Sequence, residues 1–354
     1  MHIVMYTLVV LIGVSWAYMA TVSATSPSFL QDDRVYVRDA IRHWEARIGE
    51  VGFLEAQIEL VRMGEKLRPI RAHSLAHTFG AALYKTGGVE EFSLCPDVFL
   101  YGCYHDFVGV AVSEHGFDVL EDLAADCEMI PGHTPFPCKH GLGHGILGYL
   151  GYTPSALNEA LAVCTKLDPY DVWSGCADGV FMEYNLREMV ALENDSQGRF
   201  DPRQISDENR LTPCVSIDAR YRASCVFELP LWWVHARSDL RTLRERLVSV
   251  SHYCSDAALG AHSRICFEGL GYFAAAFADL SPDNALPLCD GAPSAREHLF
   301  CLSGIVRRFQ TERRPDFLSL CQRFGLLGDA RTYCETYAQG RWSDVLELSV
   351  PEDL

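Results

Sequence analysis

The sequence predicts an all-α protein made of about eight helical hairpins, stapled by disulfides and arranged as a solenoid or as a closed α/α toroid. Three observations carry that prediction. The fourteen cysteines fall into seven ordered pairs, with 7 to 12 residues between partners: Cys95 with Cys103, Cys127 with Cys138, Cys164 with Cys176, Cys214 with Cys225, Cys254 with Cys266, Cys289 with Cys301 and Cys321 with Cys334. The second member of each pair opens a similar apolar segment, and these segments recur every 33 to 49 residues, the range in which self-similarity signals stacked helical units. The units lack the strict alternation of strands.

Taken in order, residues 1–24 read as a signal peptide or an N-terminal anchor. Residues 3–22 are mostly apolar, and Val22-Ser23-Ala24 places small residues where signal peptidase cleaves. No Lys or Arg precedes Arg34, and the apolar run is nearly long enough to span a bilayer, so a membrane tether stays open beside secretion into a periplasmic or lumenal space. Export gives the even cysteine count its meaning, because disulfides persist outside the reducing cytosol. Residues 25–70 are expected to form a helical cap. The array occupies residues 71–342, and its first unit lacks cysteines: Arg71-Ala-His73-Ser-Leu-Ala-His77 superposes on Cys138-Lys-His140-Gly-Leu-Gly-His144, with Arg71 at the cysteine position.

Within each unit a short amphipathic helix ends at the first cysteine, as in residues 157–164, and the second cysteine starts an inner helix rich in Gly and Ala, as at Cys266 in residues 266–277. The longest interval, between Cys176 and Cys225, marks a polar insertion over 185–213 that is expected on the surface and holds the sequon Asn194-Asp-Ser196. Residues 343–354 form an acidic tail. The formal charge of −17 argues against nucleic acid, whose phosphates require a basic surface. The match of residues 143–148 to GxGxxG falls inside a predicted helix with no preceding strand, which excludes the dinucleotide reading.

The chemistry concentrates in histidine. Aligned on the cysteine positions, the inner helices place His73, His105 and His140 two residues after the cysteine in three successive units, with Asp178 next in the column. One helical turn further on stand His77, His144 and then Met182. Two units therefore carry an i, i+4 histidine pair, the spacing by which one helix face offers two imidazoles to one metal ion. His73, His77, His105, His140, His144 and Asp178 are the expected ligands. Imidazole with carboxylate suits zinc or iron, whereas Met182 would favour copper. Asp178, Glu183 and Glu268 are the carboxylates to test as ligand or general base.

The inner glycine-rich helices and the run Cys138-Lys-His140-Gly141 resemble the lanthionine cyclases and related toroids, which carry a Cys-His-Gly zinc motif. This sequence has one residue more between Cys and His, so the resemblance implies a geometry and not the activity. Two functions follow from the residues: a metal centre, with or without a reaction of its own, or a helical scaffold that binds a partner protein on a concave surface and uses its histidines structurally.

Overall fold

Loops this short favour local closure, and every cysteine pair expected from the spacing is a disulfide, from Cys95 with Cys103 through Cys254 with Cys266 to Cys321 with Cys334, with Cα–Cα separations of 5.3 to 5.8 Å. No cysteine is left free. Each bridge is worth about 2–3 kcal/mol in the chain-entropy picture, because the loop it closes is short. Peptide mapping without reductant is expected to give seven cross-links, each inside one hairpin, and no alkylatable thiol. Cross-links between hairpins would contradict this pairing.

The structure is a computed structural model that describes residues 30–31, 34–35, 37–130, 136–168, 175–188, 202–237, 239–312, 314 and 317–339. The signal or anchor segment, the sequon and the acidic tail lie outside those residues. A two-residue antiparallel pair, β1 (Leu30–Gln31) with β2 (Arg34–Val35), precedes the helices. Helices α1 (Val37–Val51) and α2 (Phe53–Gly64) pack on α3 (Pro69–Gly87), where Trp44 meets the edge of Phe79 at 5.3 Å. Pro69 opens α3 at a position where its missing N–H costs nothing, and Gly88 ends it with a φ of 78°.

There follow α4 (Gly102–His115), α5 (Leu120–Met129), α6 (Phe136–Leu150), α7 (Pro154–Leu167) and α8 (Cys176–Leu186). The second half holds α9 (Arg222–Ala236), α10 (Leu243–Ser251), α11 (Ser263–Phe277), α12 (Pro282–Ala285), α13 (Ala295–Thr311), α14 (Leu320–Arg323) and α15 (Gly328–Ala338). Helices α3, α4, α6, α8, α9, α11, α13 and α15 each pack on the next in that order. The others lie against them from the side.

The expectation that the second cysteine starts each inner helix holds for Cys176 and needs correction elsewhere. Helix α11 begins three residues before Cys266, and α15 begins six residues before Cys334, so both cysteines lie inside their helices. Both are fully buried, and a disulfide constrains where the sulfur sits without deciding where the backbone first turns helical. Helices α12 and α14 shrink to single turns. Pro287, which has no N–H to donate, keeps α12 from extending through its cysteine as an α-helix.

Glycine sets how closely the inner helices meet. A Cβ on Gly143 of α6 would lie 2.1 Å from the carbonyl oxygen of Cys176 on α8, and one on Gly179 of α8 would lie 2.0 Å from that of His140 on α6. Gly271 and Gly304 make the same reciprocal contact between α11 and α13, at 1.7 Å from the Cys301 oxygen and 1.9 Å from the Glu268 oxygen. Backbone therefore touches backbone along these seams. Helix α3 also touches α11, and Arg68 pairs with Asp279 at 3.3 Å.

The polar stretch 185–213 is buried where it leaves α8, at Asn185 and Glu188, and is partly exposed on its return. There Arg203 donates to Asn185 Oδ1 at 3.1 Å and stacks on Trp232 at 3.8 Å, so it packs over the end of α8, whereas Gln204 and residues 206–208 are exposed, as expected of a surface loop. Trp232 and Trp233 are fully buried and donate to the carbonyls of Arg203 and Arg210, which makes them packing residues. Residues 143–148 lie inside α6, as their context required. No helix among the described residues is long and apolar enough to cross a membrane.

Candidate metal centre

The i, i+4 spacing on α3 and α6 brings each histidine pair together, and the packing of α3, α4, α6 and α8 brings the pairs to one place. His77 Nε2 lies 3.1 Å from His73 Nε2 and 3.1 Å from His105 Nδ1. His144 Nε2 lies 3.2 Å from His140 Nε2. His105 joins the two pairs: its ring stacks on His144 at 3.9 Å and meets His77 edge-on at 4.8 Å. Glu188 enters the same space, with Oε2 at 3.7 Å from His73 Nε2, 3.8 Å from His77 Nε2 and 3.7 Å from His105 Nδ1. All six side chains are buried.

Three groups of donor atoms are close enough to share an ion: His73, His77, His105 and Glu188; His105, His140 and His144; and His144, Glu183 and Glu188. Two nitrogens 3.1 Å apart, each bound at about 2.0–2.1 Å, subtend roughly 100° at a metal, within reach of tetrahedral or octahedral coordination. Buried histidine and carboxylate side chains hold these positions, so the donor set fits a transition metal.

The outer contacts fix which nitrogen is available. His73 Nδ1 donates to the Phe99 carbonyl at 2.8 Å, and His77 Nδ1 donates to Asp106 Oδ1 at 2.8 Å. In the neutral rings both Nε2 atoms then carry lone pairs, yet they face each other at 3.1 Å. Lone pairs held so close repel unless a cation lies between them. His144 Nδ1 is likewise directed at Glu183 Oε2 at 2.9 Å, and Glu183 also accepts from Tyr152. His140 Nδ1 stands 3.2 Å from Asp178 Oδ2, out of line for a hydrogen bond.

Glu188 is the group least explained by the protein alone. Both of its carboxylate oxygens are buried without a hydrogen-bond partner, as is His105 Nε2. Burial opposes ionisation of Glu188, but His105, His73 and His144 outweigh it and hold its carboxyl well below the ordinary range. Burial, reinforced by His144, pushes His105 well below the usual imidazole value despite Glu188. His144 is lowered in the same way, by burial and then by His140. Burial also disfavours charge on His77, but Asp106, Glu188 and Glu183 overcome it and its pKa lies above the ordinary value. Glu188 is thus a buried carboxylate beside His105 and His144, two imidazoles whose neutral form burial favours, as metal binding requires of its ligands.

The five expected histidines converge here, whereas Asp178 stands beside His140 and belongs to none of the three groups. Met182 packs with Phe227, Leu231 and Tyr272 in a separate apolar cluster. Glu268 lies elsewhere, accepting from Arg264 at 2.8 Å and Tyr337 at 3.1 Å. Cys138, which aligns with the cyclases' zinc cysteine, is bonded to Cys127 and offers no thiolate. Asp106 and Glu188 were not expected. Asp106 stands three residues after Cys103, where four other units have Gly141, Gly179, Gly269 and Gly304, so its departure from a glycine column was a readable signal. Glu188 gave none. It reaches the cluster because Arg187, at a φ of 55°, turns the chain back at the end of α8, a left-handed conformation that costs a non-glycine residue about 1 kcal/mol or more.

If Asp106 orients His77 as an outer contact of a metal ligand, Asp106→Asn should weaken metal binding by about 10- to 100-fold without abolishing it. Competition with a chelator of known affinity measures the change, and an unaltered affinity would remove Asp106 from the site.

A cavity of about 430 Å³ opens beside the cluster, with His140 and Asp178 on its wall. Its remaining lining comes from Asp97, from the left-handed turn before α4 (Leu100 and Tyr101, at φ of 54° and 65°), from the start of α6 (Phe136 and Pro137) and from α8, α9, α11 and α13. No protein-family model matches this chain, and no curated protein or solved structure shows significant similarity to it.

Proposed function

We propose that this chain is an exported metal-binding protein whose buried histidine cluster holds one or two transition-metal ions on a ring of disulfide-closed helical hairpins. One observation carries the reading: the Nε2 lone pairs of His73 and His77 face each other at 3.1 Å beside a carboxylate, Glu188, that has no hydrogen-bond donor. A proton on His77 Nε2 would satisfy one neighbour. A metal ion satisfies all of them at once, and His140 and His144 adjoin the same place through His105. The contact of α3 with α11 favours the closed arrangement over an open solenoid, since units far apart in sequence meet. Seven disulfides favour an oxidising compartment.

The donor set selects among metals. Imidazole and carboxylate without thiolate favour zinc or non-haem iron, and a Met182 engaged in an apolar cluster lends no support to a copper site. Asp106 and Glu183 hydrogen-bond to the Nδ1 atoms of His77 and His144, so they serve this centre by orienting ligands, and Glu183 also belongs to a group close enough to share an ion.

The test is elemental analysis of untagged protein recovered from an oxidising compartment, before and after dialysis against EDTA. One or two equivalents of zinc or iron are expected. Failure to take up zinc, iron, copper or nickel would overturn the reading and leave the histidines as a polar ladder inside a scaffold. The comparison residue for this test is His252, which lies off both columns. His235 also lies off them in sequence, but it borders a small cavity with His73 and Glu188 and is unsuitable.

A further inference from the structure

We infer that the cavity beside the histidine cluster binds a small molecule with a carboxylate at one end and an apolar, aromatic-sized body, and that Arg308 is the anchor for the carboxylate. The cavity is large enough for such a ligand, at about 430 Å³. Met182, Phe227, Tyr272 and Arg307, from the two columns that supply the histidines in the first units, line it together with Phe273, and Met182, Phe227, Tyr272 and Phe273 form the apolar part.

Arg308 makes this wall selective. Its side chain is wholly buried, and its Nε and Nη2 donate no hydrogen bond. The carboxylate paired with it, Glu312, lies 3.0 Å from Nη2 but out of line, so it balances charge without occupying the donors; Asp97, Asp178 and Glu228 stand on the same cavity wall. A buried guanidinium with open donors is costly, and a ligand carboxylate fits its planar fork. Arg307, also on the wall, sits 4.5 Å over the Phe227 ring and adds positive potential beside an aromatic surface. Phosphate would satisfy Arg308 but leave the apolar wall uncovered, which is why the body of the ligand enters the inference. His140, on the same wall, would bring the ligand next to the metal centre; that adjacency alone rests on the metal reading.

Isothermal titration of the full-length, disulfide-bonded protein with phenylacetate and with phenylacetamide tests this, in EDTA-treated protein so that a metal ion cannot hold the acid. The acid is expected to bind about 10-fold or more tightly than its neutral amide. Arg308→Gln should reduce the acid to the affinity of the amide and leave the amide unchanged. Glu312→Gln, which removes the competing carboxylate, should tighten the acid. Should Arg308→Gln fail to fold, the acid-to-amide ratio in the unaltered protein and in Glu312→Gln still decides the matter. Equal affinity for acid and amide, or no binding of phenylacetate, overturns the inference, and inorganic phosphate binding as tightly as phenylacetate overturns its apolar part. Protein that takes up no metal yet prefers the acid sinks the metal reading only; protein that takes up metal without preferring the acid sinks this one only.

Discussion

Replacing His140 and His144 together by alanine is expected to lower the protein's metal content and to reduce the stabilisation that metal confers. These residues form one of the two i, i+4 pairs, and their Nε2 atoms lie 3.2 Å apart in the buried cluster. Binding to the folded state alone contributes RT ln(1 + [L]/Kd), or about 4 kcal/mol when metal is supplied at about 1,000 times its dissociation constant. Losing both imidazoles should therefore lower the melting temperature of the metal-loaded form by up to roughly 5 °C. Cavities left by the truncations also destabilise, so the informative comparison is with and without EDTA. EDTA should lower the melting temperature of the unaltered protein more than that of the variant. Because His73, His77, His105 and Glu188 form a group without His140 or His144, a protein that holds two ions should retain about one in the variant. His105→Ala should do more than His140→Ala, since His105 belongs to two of the three groups and His140 to one. A double variant that keeps the full metal content, or that responds to EDTA as strongly as the parent, would show that the pair does not bind.

Gly143→Ala should destabilise the protein although alanine is the better helix former. A Cβ there would lie 2.1 Å from the Cys176 carbonyl oxygen and 2.7 Å from the Val180 nitrogen, both backbone atoms that move only if α6 and α8 separate. Overpacking of that kind costs about 3 kcal/mol, against about 1 kcal/mol gained in helix propensity, leaving a net loss of about 2 kcal/mol. The seam it opens joins His140 and His144 to Asp178 and Glu183, so metal affinity should fall as well. Gly49→Ala provides the opposite sign. Gly49 is exposed on α1 with nothing within 4 Å of its Cβ position, and the substitution should stabilise by about 0.5–1 kcal/mol. Denaturant midpoints for the two variants distinguish the cases; a neutral or stabilising Gly143→Ala would mean that the helices do not approach as closely as the structure has them.

Much of the fold was legible because its determinants are local. Each disulfide closes a loop of a dozen residues or fewer, so pairing followed from spacing, and glycine-rich apolar segments opened by a cysteine read directly as helices. His73 with His77 and His140 with His144 were likewise set by the pitch of one helix. The helix ends were less legible, because the break at Pro287 and the early starts ahead of Cys266, Cys301 and Cys334 depend on local backbone choices that cysteine positions do not report.

What sequence by itself determined was the class of the protein, its disulfides and the five histidines that meet. Tertiary structure alone decided how they meet. His105 bridges the two pairs only because α3, α4 and α6 pack in succession, and Asp106 reaches His77 across the same seam. Glu188, in a stretch whose composition reads as solvated, enters the centre through one left-handed residue, Arg187. Asp178, which shares its column with three histidines, ends up beside His140 and outside the cluster. The physical reason is one of range. Periodicity fixes which residues share a helix face, whereas convergence of several faces depends on the distances between helices, which here are set by glycine Cα atoms resting on the carbonyls of the neighbouring helix.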